Sequence, residues 1–364
     1  GPTVNTWIST AGLMSTLVYL SCVEQGIHRP ASVLGDGAQL DSGLSPSVYS
    51  ETAPPNLTAG LHGRVCDPSG GYWISGATAS FEWDTNHDGT ADARVSAQTD
   101  GDGNFRLLEL PPGPARVDII KGSFSTHIDV ELIDGQITHV KEPSCLSRDN
   151  IDIAVVDGQY DDIGEILDFL TLPFDRYDGV YSTQYLELLG NRAEMAKYDI
   201  IFLNCGIEWS WVTQQEEIRQ NIVDYVEQGG SLYASDWAYW FIEQSYPEFI
   251  DFSGDDRHPG EALHGAPGGS DVSVLDPPMQ TLLGSSSAQI YFNYNSWATI
   301  EAAGEIGTVL VEGDMSLEDG SVIRDSPLTV RMNGDKRVIY TAFHNEAQTT
   351  LDMELLLLEI ILSL

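Results

Sequence analysis

Two different rhythms of apolar residues divide the chain. From Leu61 to about Cys145 the apolar stretches are short and interrupted by turn residues: Leu61–Cys66, Ala77–Trp83, Ala93–Thr99, Asn104–Leu107, Ala115–Ile120 and Ser125–Val130. Short, closely spaced strands of this kind predict an antiparallel β-sandwich. After Ser147-Arg148-Asp149-Asn150 the pattern changes. Ile151–Asp157 is a continuous apolar run, as expected for a strand buried on both faces of a parallel sheet. An amphipathic segment at Ile163–Leu170, a strand near Tyr177–Tyr181, a helical pattern over Tyr185–Ala196, a strand at Asp199–Asn204 and a helix over Gln214–Glu227 follow. Gly229-Gly230 then leads into a strand at Ser231–Ser235. This alternation predicts an α/β doubly wound sheet, with ligand sites at the carboxyl ends of its strands.

Farther on, Thr308–Val311 and Leu328–Met332 alternate as strands, and Arg337–Phe343 carries His344 to a strand end. Leu351–Leu364 reads as a closing helix, apolar nearly all round, either sandwiched within the domain or offered to a partner. Glu243–Asn295 is the least regular region and reads as an insertion, near 245–295, that caps a pocket. The expected organisation is multidomain: 1–22 an export-signal remnant or apolar docking segment, 23–60 a linker, 61–147 the sandwich (Ig/transthyretin-like), and 148–364 the doubly wound (flavodoxin-like) domain.

Charge narrows the function classes. Lys and Arg number 17 against 55 Asp and Glu, a formal net charge of −38. Nucleic-acid binding relies on clustered Lys and Arg, so a nucleic-acid partner is not expected. An excess of carboxylates this large repels itself unless cations screen it, which points to a calcium-rich or saline exterior. Trp7–Cys22 has the make-up of the hydrophobic part of an export signal, and Leu20-Ser21-Cys22 that of a lipoprotein processing site. The expected location is therefore extracellular or cell envelope, with Cys22 as a candidate lipid anchor. Cys22, Cys66, Cys145 and Cys205 form no CxxC pair, so neither a structural zinc site of that type nor a thioredoxin-like site is expected. A Cys66–Cys145 bridge is compatible with export.

The segment Asp84-Thr85-Asn86-His87-Asp88-Gly89-Thr90-Ala91-Asp92 places oxygen donors at alternate positions, with Gly89 at a bend, much like the first half of an EF-hand loop. Asp84, Asn86, Asp88, Thr90 and Asp92 are the candidate ligands of a structural Ca2+. The bidentate Glu of an EF-hand is missing, because that place falls on Val95. Asp92, Asp100 or Asp102 would have to complete the shell; the alternative is a solvated hairpin.

Two stretches resemble known families. Thr99-Asp100-Gly101-Asp102-Gly103-Asn104-Phe105, followed by Leu110-Pro111-Pro112-Gly113, resembles the signature of carboxypeptidase-regulatory-like and Cna B-type domains. That resemblance implies a structural role for the motif. Residues from about 150 to 364 resemble a class I glutamine amidotransferase-like domain. Asn204-Cys205-Gly206 stands where the oxyanion loop should be, and Gly229-Gly230 where that family has a G-G pair. Ala234-Ser235-Asp236-Trp237-Ala238 stands at the G-x-C-x-G elbow, and Phe343-His344-Asn345-Glu346 at the F-H-P-E motif.

Asp236 thus occupies the position of the nucleophilic Cys, and a carboxylate is a poor substitute for a thiolate in amide attack. Glutaminase activity is not expected. Both elbow glycines are alanines, which predicts a relaxed turn, and Cys205 is not an obvious replacement nucleophile because it lies on a different strand. Asp236, His344 and Glu346 are read either as an acid–imidazole–acid scaffold cluster or as the base, acid and orienter of a hydrolase. Ser235 is a second possible nucleophile, and a third firm metal ligand beside these groups is not identified. His258 and His264, with Asp255 or Glu261, form a further metal candidate. Trp209, Trp211, Trp237, Trp240 and Tyr239 are either core or an aromatic floor for a glycan or peptide. The function expected is non-catalytic: a calcium-stabilised envelope protein for adhesion, surface assembly or ligand recognition. Its partner would be a surface protein, peptide or glycan, with self-assembly through the N-terminal segment or the final helix.

Overall fold

The computed structural model describes residues 58–86, 88–208, 215–254, 261–294, 296–345 and 349–364, together with the backbone of 48–52. The candidate lipid anchor Cys22 and the apolar segment before it lie outside these residues, as do His87, Trp209, Trp211, Asp255, Asp256, His258 and Glu346.

The first unit comprises β1 (Val48–Thr52), β2 (Ala59–Cys66), β3 (Thr78–Trp83), β4 (Ala93–Gln98), β5 (Asn104–Leu110), β6 (Gly113–Lys121), β7 (Phe124–Leu132), β8 (Gln136–Val140) and β9 (Ser144–Cys145). One sheet runs β4-β3-β6-β7 with every pair antiparallel, and the other runs β1-β8-β2-β5 with β9 added to β2. Alternation decides the faces. In β6, Ala115, Val117 and Ile119 are buried, while Arg116, Asp118 and Ile120 point outward. Residues 48–52, placed in the linker by sequence, instead pair antiparallel with β8 from Val48↔Val140 to Thr52↔Gln136. An extended Val-Tyr-Ser-Glu-Thr segment suits an edge strand as well as a linker. Cys66 and Cys145, side by side where β9 pairs with β2, are joined by a disulfide across 79 residues of sequence.

The second unit follows as β10 (Ile153–Asp157), α1 (Gly164–Phe169), β11 (Asp175–Asp178), α2 (Gln184–Leu189), α3 (Arg192–Met195), β12 (Ile200–Leu203), α4 (Glu216–Glu227), β13 (Ser231–Ser235) and α5 (Tyr239–Ser245). The chain continues through β14 (Ile250–Phe252), β15 (His264–Gly265), β16 (Gly268–Val274), α6 (Pro277–Leu283), β17 (Ser287–Phe292), β18 (Trp297–Ala298) and β19 (Ile300–Ala303). It ends with β20 (Gly307–Ser316), β21 (Val322–Met332), β22 (Val338–Thr341) and α7 (Leu351–Ser363). The single helix expected over 185–196 is two, because the Asn191 side chain caps a new start at Ala193 and Glu194. No helix among the described residues is long and apolar enough to cross a membrane.

A nine-stranded sheet in the order β11-β10-β12-β13-β22-β21-β20-β16-β17 organises this unit. From β11 to β22 the pairs are parallel, and from β22 to β17 antiparallel. This is the doubly wound α/β arrangement, with an antiparallel extension. Residues 268–292, which the sequence left irregular, build β16 and β17 and so supply one edge of that sheet. β12, β13 and the apolar part of β10 are buried throughout, as strands covered on both faces must be.

Helix α7 closes the unit. Met353, Leu355–Leu358, Glu359, Ile360–Leu362 and Leu364 are all buried, so the sandwiched alternative is the one realised for these residues. Its end also meets the first unit. The Ser123 amide donates to the Leu364 carbonyl at 2.5 Å, and a Cβ on Gly122, whose φ is +56°, would collide with the backbone of Leu362 and Leu364. Beside this contact Lys121 Nζ donates to Glu359 Oε1 and, at 2.8 Å, to the Ser75 carbonyl. Both members of the ion pair are buried, so removing one strands the other away from water. Lys121→Met is expected to lower unfolding free energy by about 3–5 kcal/mol. The double variant Lys121→Met/Glu359→Leu should recover most of the loss, as measured by chemical denaturation.

Candidate functional site

Four neighbouring parallel strands, β10, β12, β13 and β22, end on the same side of the sheet. Just past those ends lie Asp161, Cys205, Asp236 and His344. The loops after β10 and β12 pack backbone on backbone: Tyr160 N donates to the Cys205 carbonyl at 3.2 Å, and Gly158 lies so close to that carbonyl that a Cβ would overlap it.

Asp236 leaves β13 in the left-handed region, with φ +43°. The strained turn expected to relax is therefore kept. The strain falls on residue 236 itself, while Ala238 sits at φ −74° and ψ 0°, where a Cβ is tolerated, so alanine at 238 is compatible with the turn. Three contacts fix Asp236: Tyr340 Oη donates to its carbonyl at 2.9 Å, Ala298 N donates to Oδ1 at 2.7 Å, and His344 Nε2 lies 3.3 Å from Oδ2. Cys205 Sγ is also 3.4 Å from Oδ2.

Cys205 thus touches Asp236, although the sequence places it on a different strand. Neighbouring parallel strands deliver their ends to one place, so β12 and β13 bring Cys205 and Asp236 together despite the intervening helix. The thiol is a poor nucleophile as it stands, because burial, and next the Asp236 carboxylate, push its pKa well above the usual value. Among the described residues, Cys205, Asp236 and His344 are the one set of three His, Cys, Asp or Glu whose ligand atoms all lie within 4.8 Å of one another.

Ser235 points away from the elbow side chain. Its Oγ donates to Asp161 Oδ2 at 2.5 Å and accepts from the Cys205 amide at 3.0 Å, so it braces the floor and is not presented as a nucleophile. The Asn345 amide donates to Asp161 Oδ1 at 3.2 Å, and its side chain donates to the Asp162 carbonyl at 2.8 Å. Sequence reading missed Asp161, although its place in the loop after the first parallel strand was a usable signal. Burial pushes its pKa up to about 6, a rise opposed chiefly by His344. The second carboxylate interacting electrostatically with His344 is accordingly Asp161; Glu346, expected in that role, lies outside the described residues.

Above these groups opens a cavity of ≈ 240 Å³. Trp237, Phe292, Trp297 and Phe343 form apolar walls, while Tyr160, Tyr291 and Tyr294 stand partly exposed around it. Phe292 and Trp297 stack with centroids 3.8 Å apart, and Trp297 Nε1 donates to the Ala266 carbonyl at 3.0 Å. Among the described aromatics expected there from sequence, Trp237 lines the cavity, while Trp240 and Tyr239 are core. The walls come instead from 291–297, residues whose aromatic content the irregular-insertion reading passed over.

The remaining metal candidates fare differently. His264 Nδ1 lies 3.5 Å from Glu318 Oε2, and neither His264 nor Glu261 joins a three-ligand group among the described residues. In the β3–β4 hairpin Asp84 accepts from the Asn86 and Gly89 amides at 3.1 and 2.7 Å, Asn86 from Asp88 N at 2.9 Å, and Asp88 from Thr90 N at 2.9 Å. Asp92 Oδ1 accepts from Thr85 N at 2.8 Å. Asp84 is half-buried and the other described residues of the loop are exposed, and Asp84, Asn86, Asp88, Thr90 and Asp92 offer side-chain oxygen atoms, the kind calcium takes. Its carboxylates are not drawn together as closely as the Cys205 group.

No protein-family model and no curated protein matches the chain. Solved structures similar to it include glutamine amidotransferase-like folds. The glutaminase domain of Trypanosoma brucei CTPS with bound acivicin aligns at 16% identity over 59% of this chain and 93% of that one, TM-score 0.38. A glutamine amidotransferase from Thermotoga maritima aligns at 8% identity over 53% and 75%, TM-score 0.33. The mmIFT52 N-terminal domain aligns at 8% over 56% and 87%, TM-score 0.34. Nothing about this chain's chemistry follows from likenesses at that level.

The raised pKa of Asp161 has a definite sign. Unfolded, the group titrates near 3.8; folded, near 6. Between those values the native state holds a proton that the unfolded state has lost, so this group makes stability fall as pH rises through that window. Asp161→Asn is expected to remove this fall, flattening the melting temperature between about pH 4 and 6 relative to wild type. Calorimetric melts of both proteins across the window check it.

Proposed function

We propose that this is an exported cell-envelope protein that recognises a peptide or glycan on a surface partner through the cavity above Asp236, without turning it over. The observation carrying this reading is an open, aromatic-walled cavity whose floor holds a carboxylate where the resembled enzymes hold a nucleophilic thiolate. Aromatic walls bury the rings or sugar faces of a ligand, and a few fixed polar groups orient it. The first unit is read as a β-sandwich of the carboxypeptidase-regulatory-like or Cna B type, acting as a spacer. The Cys66–Cys145 bridge and the net charge of −38 favour a location outside the cytoplasm.

Calcium belongs to the same reading. Asp84, Asn86, Asp88, Thr90 and Asp92 would hold it, and a bound Ca2+ would supply positive charge to a hairpin crowded with carboxylates. A ligand at 100 times its dissociation constant stabilises the domain that binds it by about 2.7 kcal/mol. Melting of the first unit is expected to move upward in calcium relative to chelator, and Asp84→Asn/Asp88→Asn should abolish the difference. Scanning calorimetry with and without chelator reads this directly; equal melts for the wild type would remove calcium from the account.

A hydrolase acting through Asp236 and His344 is the second reading, favoured by their 3.3 Å contact beneath an open cavity. Peptide and oligosaccharide arrays, followed by titration of tryptophan fluorescence, separate the two. Under the binding reading Tyr294→Ala and Tyr160→Ala, both at exposed rim positions, weaken the captured ligand about tenfold or more while leaving the melt unchanged, and the ligand is recovered intact. Turnover that disappears in His344→Ala would establish the hydrolase instead. Affinity indifferent to both tyrosines would place the ligand elsewhere on the protein.

A further inference from the structure

We propose that Cys205, Asp236 and His344 form a mononuclear zinc-type site whose open coordination position faces the aromatic cavity. The inference deepens the binding reading and rests on it for what occupies the cavity. Its first support is geometric. Tetrahedral zinc with Zn–S about 2.3 Å and Zn–N or Zn–O about 2.0 Å sets sulfur and oxygen ligands about 3.5 Å apart, and nitrogen and oxygen ligands about 3.3 Å apart. The Cys205 Sγ–Asp236 Oδ2 and His344 Nε2–Asp236 Oδ2 separations are 3.4 and 3.3 Å, with all three atoms within 4.8 Å. One sulfur, one nitrogen and one oxygen ligand select a borderline-soft ion over calcium or magnesium, which take oxygen.

Charge is the second support. Zinc binding releases the Cys205 proton to solvent, leaving one thiolate and one carboxylate to balance a divalent ion beside a neutral imidazole. A buried centre of zero net charge avoids the penalty that either anion alone would carry. The third is the position of the cavity. All three side chains line it, so a fourth ligand enters from the aromatic side, and three protein ligands with one open place is the pattern of a reactive or ligand-accepting zinc. The open place would take an oxygen donor, so the inferred ligand class is a molecule carrying a carboxylate or carbonyl oxygen next to an aromatic or other flat apolar group. Asp236 is already oriented for the task, because the Ala298 amide holds Oδ1 and leaves Oδ2 turned toward the other two ligands.

Cobalt(II) is the probe that reports these features. The whole chain carries Cys22→Ser in every preparation, so that Cys205 is the one thiol outside the Cys66–Cys145 disulfide, and is freed of metal by chelator before titration. One cobalt per chain is expected, with tetrahedral d–d bands and a near-ultraviolet thiolate-to-cobalt charge-transfer band, both displaced by one equivalent of zinc. Cys205→Ser should lose the charge-transfer band, and His344→Gln should bind cobalt at least tenfold more weakly. Benzoate, which joins a ring to a carboxylate, should shift the d–d bands of the wild type. A folded wild type with no charge-transfer band at saturating cobalt overturns the site, without relying on any variant folding. An undiminished band in Cys205→Ser overturns it equally, and d–d bands indifferent to benzoate overturn the open position. If cobalt does not bind while tryptophan fluorescence still responds to the array ligands, the metal falls and the binding reading stands. If cobalt binds and no array ligand does, the reverse holds.

Discussion

A helix that is apolar on every side has to be covered on every side, and much of this molecule is arranged around that requirement. α7 cannot lie on a surface: its leucines and isoleucines would each forfeit about 1.5–3 kcal/mol if left in water. Its cover comes from α6, β17, α1 and the turn between β6 and β7. The last of these belongs to the other unit, so burying the helix also joins the two halves of the chain. The one charge it carries into this environment, Glu359, is matched by Lys121 from across the seam. The same helix places Met353 in the lining of the cavity, so the seam and the site share an element.

The site itself follows from the order of strands. A parallel sheet discharges its loops on one side, and neighbouring strands bring together residues that are far apart in the chain. Cys205 and Asp236 are separated by a complete helix in sequence yet lie in contact, because β12 and β13 are paired from Ile200↔Ser231 to Leu203↔Ala234. The turn after β13 presents the acid, Asp236, and the loop after β12 presents the sulfur of Cys205. With His344 from the end of β22 they make a cluster of one sulfur, one oxygen and one nitrogen atom at the ends of three neighbouring strands.

Much of this was legible along the chain. Ile153–Val156, Ile200–Leu203 and Ser231–Ser235 announce themselves as buried parallel strands through unbroken apolar runs, and the place of His344 at a strand end follows from the strand before it. Less legible was anything that depends on pairing. The contact of Cys205 with Asp236 is hidden because chain order does not show which strands are neighbours, and Asp161 escapes notice because a loop carboxylate looks solvated until its burial is known. The turn at Asp236 was expected to relax, since glycine is the usual bearer of positive φ; a short polar side chain held by Ala298 and Tyr340 bears it here. Residues 268–292 were read as irregular because β16 is rich in Gly, Ser and Asp, and only the neighbouring strands make it a strand.

The bridge between Cys66 and Cys145 carries a mechanical consequence. Under tension applied along the chain, an unbridged unit would respond by unravelling strand by strand. Here tension entering at Cys66 passes through the sulfur atoms to Cys145 and bypasses the chain between them, the two cysteines standing 79 positions apart. At about 3.3–3.6 Å per extended residue, roughly 270 Å of chain is withheld from stretching. The segment from β3 to β8, with the acidic hairpin, lies inside the bridge and is shielded from a load that peels β1 away.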